Sequence, residues 1–128
     1  MQICLRLLIV AWLAIGSAFG FSFENDSAST DKQAVPTVDR IFVTNLPPEA
    51  RHTLALIKAG GPFPYERDGI IFGNFEKRLP PHPRGYYREY TVKTPWRRDR
   101  GPRRIVASRD RHYYYTDDHY RTFRLIVE

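Results

Sequence analysis

The sequence is poor in sulfur and in long apolar runs. Its only cysteine is Cys4, so no disulfide can form within the chain and a cysteine-based metal site is excluded. The familiar spacings of metal-binding side chains are also missing, and we predict no metal and no cofactor. The apolar run from Leu7 to Ile15 is too short to cross a membrane comfortably. The core must therefore be stabilised by packing alone, and any chemistry must come from ordinary side chains.

The N-terminus has the order of a secretory signal. Arg6 precedes the apolar run, and Ala18-Phe19-Gly20 places small residues at the two positions that signal peptidase recognises. We predict that residues 1–20 are a signal peptide, with a retained anchor as the alternative, and that the protein is secreted, extracellular and free of the membrane after cleavage. Residues 21–38 are polar and are predicted to be a disordered leader. The folded domain is thus predicted to span residues 39–128.

Positive charge is concentrated in one segment. The chain carries a formal net charge of +6, to which residues 1–20 contribute only Arg6. Residues 97–111 contain seven arginines and two aspartates, which gives +5, so the rest of the secreted chain is neutral. One basic segment on an otherwise neutral domain indicates a polyanionic partner. A solvated basic loop would explain the charge alone, but not the chemistry of the residues around it.

The order of the predicted elements indicates an α+β fold, in which one N-terminal helix packs on a small antiparallel sheet. The helix is predicted to start near Pro47-Pro48-Glu49 and to end at Gly60-Gly61, because proline and an acid suit the first turn and glycine suits the end. Its apolar stripe is Leu46, Ala50, Leu54 and Ile57. Strands are predicted at Arg40–Thr44, Ile70–Phe72, Tyr86–Val92, Arg103–Ser108, Tyr113–Thr116 and Thr122–Val127.

Glu89 lies in the middle of an aromatic and β-branched stretch that is typical of a strand. Because side chains alternate along a strand, Tyr87, Glu89 and Thr91 are predicted to share one face. A carboxylate held on a strand, the arginines downstream and His119 in a turn are the groups that phosphodiester cleavage needs. Taken singly, Glu89 could equally be a solvated ion-pair partner and His119 a surface histidine.

Five motifs occur in order along the chain: Leu46-Pro-Pro-Glu-Ala, Gly61-Pro-Phe-Pro-Tyr-x-x-Asp-Gly69, Gly85-Tyr-Tyr-x-Glu-Tyr-Thr-Val92, Arg100-Gly-x-Arg-Arg-Ile105 and Tyr114-Tyr-Thr-x-Asp-His-Tyr-x-Thr-Phe123. Together they resemble the secreted guanyl-specific microbial ribonucleases, the group that includes barnase, and most closely its small actinobacterial branch. The resemblance implies the microbial ribonuclease fold, a monomer, and cleavage of single-stranded RNA after guanosine. That branch commonly joins its two ends by a disulfide, which this chain cannot form.

The resemblance also implies catalytic roles. Glu89 would be the base that takes the proton of the ribose 2′-hydroxyl, and His119 would be the acid that protonates the leaving 5′-oxygen. Arg100 and Arg104 match the phosphate-binding arginines of the family, and Tyr120 matches its phosphate-contacting or stacking tyrosine. The product would be a 2′,3′-cyclic phosphate, which water opens in a second step. No metal ion takes part in this scheme.

Base recognition is predicted in the segment Ile70 to Glu76. Glu76 matches the carboxylate with which the family accepts both the N1–H and the N2–H of guanine. Phe72 and Tyr65 offer aromatic faces to an unpaired base, and Asn74 tolerates the left-handed backbone angles that turn amides toward it. For Phe72, core packing is the alternative. Two nearby residues replace polar residues of the closest branch: Gly73 and Phe75.

Two other functions are open to the sequence. A non-catalytic secreted RNA-binding module would use the same basic and aromatic surface, but it would need neither Glu89 nor His119. A secreted structural or adhesion domain would not explain a base-loop carboxylate, two fixed arginines and a histidine together. Besides single-stranded RNA, an acidic inhibitor protein of the barstar type is an expected partner, because such proteins bind relatives of this family.

Overall fold

The structure of the protein is a computed structural model, and residues 34–128 are described. The predicted signal peptide and residues 21–33 of the predicted leader lie outside the described residues. Residues 34–38 form no regular element, and the first strand begins at Asp39. Within residues 34–128 no helix has both the length and the apolar character needed to cross a membrane.

The described chain contains one α-helix and six strands. They are β1 Asp39–Phe42, α1 Pro48–Ala59, β2 Ile70–Phe72, β3 Tyr87–Thr91, β4 Arg104–Ser108, β5 Tyr113–Thr116 and β6 Arg124–Val127. The predicted positions of all seven elements are confirmed. The main difference is at the first strand, which ends at Phe42 because the chain turns into a 3-10 helix over Val43–Asn45.

Helix α1 has the start and the end that its sequence indicates. Pro48 occupies the first turn, where its missing N–H costs no intrahelical hydrogen bond. Gly60 follows the last helical residue with a φ of 81°, a left-handed conformation that only glycine adopts without strain. Its amide donates to the carbonyl of Ile57 and the next amide donates to that of Leu56, so carbonyls of the last turn are satisfied.

The six strands form one sheet in the order β1-β6-β5-β4-β3-β2. The pairs from β2 to β6 are antiparallel, as predicted, and only β1 pairs in parallel, with β6. The parallel pair forms because β1 and β6 lie at opposite ends of the described chain and no hairpin dictates their direction. The fold is therefore α+β, with a mostly antiparallel sheet.

The two faces of the sheet bury different residues. Helix α1 covers one face, where Leu54 packs with Val92, Ile105 and Tyr115 in a continuous core. The predicted helix stripe is confirmed, since all of its members belong to this core or pack against it: Leu46, Ala50, Leu54 and Ile57. The other face carries a mainly aromatic cluster: Leu79, Tyr87, Val106, Tyr114 and Phe123. The predicted functional residues of β3 and β4 project from this second face.

Candidate active site

The strand register brings Glu89 into a cluster of basic residues. On β3 it pairs with Val106 of β4, while Thr91 pairs with Arg104, so Glu89 and Arg104 project from the same face on neighbouring strands. Glu89 is only 8% exposed, which removes much of its carboxylate from water. Its Oε1 lies 3.8 Å from Nη2 of Arg100. This carboxylate is thus held on a rigid strand with guanidinium groups close by.

Both predicted phosphate arginines are anchored by hydrogen bonds that leave donors unused. Arg100 donates from Nε and Nη2 to the hydroxyl of Thr91, at 3.1 and 2.7 Å. Arg104 donates from Nη1 to the carbonyls of Gly101 and Arg103, each at 2.7 Å, and from Nε to the Tyr120 hydroxyl at 3.1 Å. Among residues 34–128 no hydrogen bond uses Nη1 of Arg100 or Nη2 of Arg104. These donors remain available for an anion.

His119 and Tyr120 lie on a turn that Asp118 organises. The Asp118 carboxylate accepts hydrogen bonds from the hydroxyls of Thr116 and Thr122 and from the amides of Arg121 and Thr122. Burial raises the pKa of Asp118, but the hydrogen bonds from Thr122 and its neighbours outweigh that effect and leave the pKa below the usual value. Asp118 therefore stays ionised and holds the turn.

The backbone of this turn is left-handed at two successive residues. His119 has a φ of 57° and Tyr120 a φ of 69°. For residues other than glycine this conformation is uncommon and must be held by its surroundings. The amide of His119 donates to the carbonyl of Pro102, which ties the turn to the arginine segment. The backbone of His119 is therefore held in place, and its exposed side chain lines the same cavity as the two arginines.

Tyr120 joins the carboxylate to an arginine. Its hydroxyl accepts the hydrogen bond from Arg104 and donates one of 3.0 Å to Oε2 of Glu89. Burial raises the pKa of Tyr120, the negative charge of Glu89 raises it further, and Arg104 opposes the shift without cancelling it. The phenol thus stays neutral and keeps donating to Glu89 over the physiological range of pH.

The predicted residues line two cavities that meet at the Glu89–Tyr120–Arg104 chain. The first, of about 300 Å³, is lined by Glu89 and Tyr120 and by three residues of the predicted base loop: Phe72, Asn74 and Glu76. The second, of about 470 Å³, contains Arg100, Arg104 and His119. Arg97 also lines the second cavity. Asp99 compensates its charge, because Arg97 donates two hydrogen bonds of 2.8 Å each to that carboxylate. One compartment thus suits a base and the other an anion.

The base loop is shaped by Asn74. Its side-chain amide donates to the Leu79 carbonyl at 2.8 Å and its oxygen accepts from the Leu79 amide at 3.1 Å. With a φ of 50° it has the left-handed backbone that the sequence predicts. Both ends of the Asn74 side chain are therefore engaged within the protein. Asn74 shapes the cavity through the backbone instead of offering its own amide to a ligand.

Glu76 is exposed at the mouth of the first cavity, where its Oε2 accepts a 2.7 Å hydrogen bond from Nε of Arg78. Phe72 lies deeper and is half-buried, with its ring stacked on Tyr120 at 5.3 Å between centroids and edge-on to Phe123 at 5.7 Å. Phe72 thus belongs to the aromatic cluster and also forms a wall of the cavity. The core-packing interpretation of Phe72 is confirmed, and its contact with a base remains a prediction.

Phe75, Arg67 and Arg78 also line this cavity, although the sequence does not single them out as site residues. The Phe75 ring is 85% exposed and lies over Gly73. A Cβ at position 73 would come within 2.4 Å of that ring, so the ring occupies space that only a glycine leaves free. Gly73 thus leaves room for the Phe75 ring. The sequence signal that could have indicated this arrangement is that both positions depart from the polar residues of the family.

Tyr65 does not join the other predicted residues. It lines a separate cavity of about 650 Å³ next to the start of α1, together with His52, Thr91 and Lys93. The structure therefore separates Tyr65 from the base loop. Within residues 34–128 no group of three or more histidine, cysteine, aspartate or glutamate side chains is placed to hold a metal ion. The absence of metal from the reaction remains a prediction.

Comparison with known proteins gives the family. Residues 28–127 match a family model described as ribonuclease. The chain is 51% identical over 89 residues to guanyl-specific ribonuclease St of Saccharopolyspora erythraea, which covers 70% of this chain and 88% of that protein. It is 53% identical over 87 residues to guanyl-specific ribonuclease Sa of Kitasatospora aureofaciens, which covers 67% of this chain and 91% of that protein.

Solved structures agree with the sequence relatives. Complexes of ribonuclease Sa2 with mononucleotides superpose with a TM-score of 0.71 at 47% identity, covering 73% of this chain and 97% of the other. Ribonuclease Sa2 with guanosine-2′-cyclophosphate superposes with a TM-score of 0.68, covering 71% and 97% of the two chains. Together with the fold and the cluster around Glu89, these matches show that the chain belongs to the guanyl-specific microbial ribonuclease family and is an endoribonuclease.

Proposed function

We propose that this protein is a secreted enzyme that cleaves single-stranded RNA after guanosine, by transesterification to a 2′,3′-cyclic phosphate followed by hydrolysis, without a metal ion. The observation that carries the proposal is the arrangement around Glu89. A buried carboxylate, two arginines with unused donors and a histidine on a fixed turn lie where a cavity with aromatic walls meets a cavity lined by arginines.

In the first step Glu89 accepts the proton of the ribose 2′-hydroxyl, and the 2′-oxygen forms a bond to phosphorus. The bond from phosphorus to the 5′-oxygen breaks, and His119 gives its proton to that oxygen. Free donors of Arg100 and Arg104 stabilise the charge that develops on the phosphoryl oxygens. In the second step water opens the cyclic phosphate, with His119 as base and Glu89 as acid.

Guanine is proposed to enter the first cavity. The Glu76 carboxylate accepts the N1–H and N2–H donors of the base, while adenine has no such pair of donors on this edge. Phe72 and the exposed ring of Phe75 supply aromatic surface, which favours any unpaired base and so adds affinity without discrimination. Specificity in this scheme depends on Glu76 and on the backbone amides of the loop that Asn74 shapes.

The decisive experiment is cleavage of a defined RNA by purified protein in the presence of EDTA, with products separated on a gel and the cyclic phosphate identified by mass spectrometry. The proposal expects fragments that end in guanosine 2′,3′-cyclic phosphate, formed at the same rate with and without EDTA. A matched Glu89→Gln protein, purified identically, excludes a contaminating nuclease. RNA that is bound but left intact would instead indicate the non-catalytic binding module.

The proposal that the protein is extracellular rests on the N-terminal sequence pattern. We expect the chain recovered from culture medium to begin within a few residues of Phe21. An acidic inhibitor protein is proposed as a natural partner on charge grounds, since three arginines of the basic segment line the anion cavity: Arg97, Arg100 and Arg104.

A further inference from the structure

Trp96 presents its aromatic ring to solvent beside a cationic side chain. Trp96 is 74% exposed, and the guanidinium of Arg103 lies 5.0 Å from its ring centroid. Most other large aromatic side chains of the described chain are buried or half-buried in the two faces of the sheet. An exposed tryptophan beside a cation is a common stacking surface for unpaired nucleobases. The catalytic scheme above makes no use of it.

The cavity beside α1 has a neighbour of this ring on one side and a neighbour of the proposed catalytic group on the other. Thr91, which lines the cavity, accepts the hydrogen bonds of Arg100. Glu49, on the helix side of the same cavity, lies 3.8 Å from Nη1 of Arg103. The cavity of about 650 Å³ therefore lies between two groups, since its residue Thr91 contacts Arg100 and its residue Glu49 contacts Arg103, which packs on Trp96. Tyr65 and Lys93 also line it.

The charge of this region suits a polyanion. Lys93 is exposed and takes part in no ion pair of residues 34–128. Glu49 is the one carboxylate in the lining, and Arg103 already compensates it. A free lysine and aromatic rings around one cavity are the components with which proteins bind single-stranded nucleic acid.

We propose that Tyr65, Lys93, Trp96 and Arg103 form a second RNA-binding surface, which takes the nucleotides that follow the scissile phosphate. This proposal rests on the function proposed above. The polarity follows from the order of groups along β3. The base cavity lies at the Tyr87 end, where Phe72 pairs with Tyr87, and Glu89 is in the middle. RNA that continues past the phosphate therefore runs toward Thr91 and Lys93.

The test compares three substrates with a single guanosine: a dinucleotide, the same dinucleotide extended by four uridines on the 3′ side, and the same extended on the 5′ side. Trp96→Ala and Lys93→Gln should both lower kcat/KM for the 3′-extended substrate. For Trp96→Ala the loss should be roughly tenfold, because base stacking is lost. Both should leave the dinucleotide and the 5′-extended substrate unchanged. Matched controls at the opposite edge of the sheet, Phe42→Ala and Arg40→Gln, should change none of the three.

Salt dependence separates the two contacts. Lys93→Gln should reduce the slope of log kcat/KM against log salt by about 0.7 for the 3′-extended substrate, the value for one lost phosphate contact on a single strand. Trp96→Ala should leave that slope unchanged, because stacking releases no counterion. An unchanged kcat/KM in both variants, or an equal loss on the 5′-extended substrate, would overturn the proposal.

A binding measurement keeps this inference distinct from the catalytic one. An oligonucleotide whose guanosine lacks the 2′-hydroxyl cannot be cleaved by this mechanism but can still be bound. In the wild type, the 3′-extended form should quench the fluorescence of Trp96, while the 5′-extended form should not. Trp96→Phe identifies this signal, because the fluorescence is missing from that variant. Quenching without cleavage of RNA would sink the catalytic proposal and support this surface. Cleavage of RNA, combined with neither quenching nor any effect of the variants, would support the catalytic proposal and overturn this surface.

Discussion

The hydroxyl of Tyr120 donates a 3.0 Å hydrogen bond to Oε2 of Glu89, across 31 positions of sequence. The same hydroxyl accepts from Arg104, so one phenol sets the spacing between the proposed base and a cation that is proposed to bind phosphate. Because burial and the charge of Glu89 raise the pKa of Tyr120, this link persists at physiological pH.

Removing that hydroxyl should impair both catalysis and folding. Tyr120→Phe keeps the ring stacked on Phe72 but deprives a buried carboxylate of a donor, which should cost about 1.5–3 kcal/mol of unfolding free energy. We expect kcat to fall roughly tenfold or more. Tyr113→Phe, which removes a phenol from the helix-covered face, is the matched control for steady-state kinetics. Equal rates for both variants would contradict the bridging role of Tyr120.

The proposed acid and base should each matter by about a hundredfold or more, which is typical of positioned proton transfer. Glu89→Gln and His119→Gln should lower kcat to that extent while RNA binding stays close to normal, since both arginines remain. The rate of cyclisation should be bell-shaped with pH in the wild type, and each variant should lose one limb. His112→Gln is the control, because His112 pairs with Asp110 away from both cavities. Arg104→Ala should instead weaken both binding and turnover.

Specificity should depend on Glu76. Glu76→Ala leaves two guanine donors without an acceptor, and we expect the preference for guanosine over adenosine to fall roughly tenfold to a hundredfold in dinucleotide kinetics. Both members of its ion pair with Arg78 are well exposed, so the free energy of unfolding should hardly change. Glu66→Ala removes an exposed carboxylate that does not line the base cavity and should leave the preference intact. An unchanged preference in Glu76→Ala would refute the assignment of the base site.

The helix stripe should dominate stability. Leu54 is 3% exposed in the core between α1 and the sheet, and Leu54→Ala should cost about 2–5 kcal/mol of unfolding free energy. Leu56→Ala makes the same chemical change in the same helix at a half-buried position, and its cost should be clearly smaller. Urea melts of the two proteins give the difference. Equal costs would mean that helix propensity, and not burial, decides.

Stability should fall in alkaline solution. Burial raises the pKa of Tyr87, Tyr114 and Tyr120, so the folded state holds phenolic protons that the unfolded chain releases above about pH 10. This stabilisation is complete below the tyrosine pKa of the unfolded chain. It is lost as the pH rises toward the raised tyrosine pKa values of the folded state. Urea melts between about pH 8 and about pH 11 should show the decline. Tyr87→Phe should flatten it, while being less stable near neutral pH because Tyr87 no longer donates to the Pro80 carbonyl.

The local features of this protein are readable from its sequence. Proline, glutamate and two glycines bound the helix, and aromatic and β-branched runs mark β2 to β6, because these signals act within a few residues. Alternation along β3 correctly predicts that Tyr87, Glu89 and Thr91 share one face, and the structure shows that this face lies away from the helix. The family, and with it the catalytic candidates, follows from motifs whose order survives in the chain.

What required the tertiary structure is every relation between distant residues. The contact of Tyr120 with both Glu89 and Arg104 depends on strand register and on a left-handed turn that Asp118 holds, and neither has a local signature. Tyr65 lies outside the base cavity because its loop packs beside the start of α1. Phe75 enters that cavity because Gly73 leaves room for its ring. The chain specifies its elements through short-range sterics and hydrogen bonds, whereas the site forms only when packing brings those elements together.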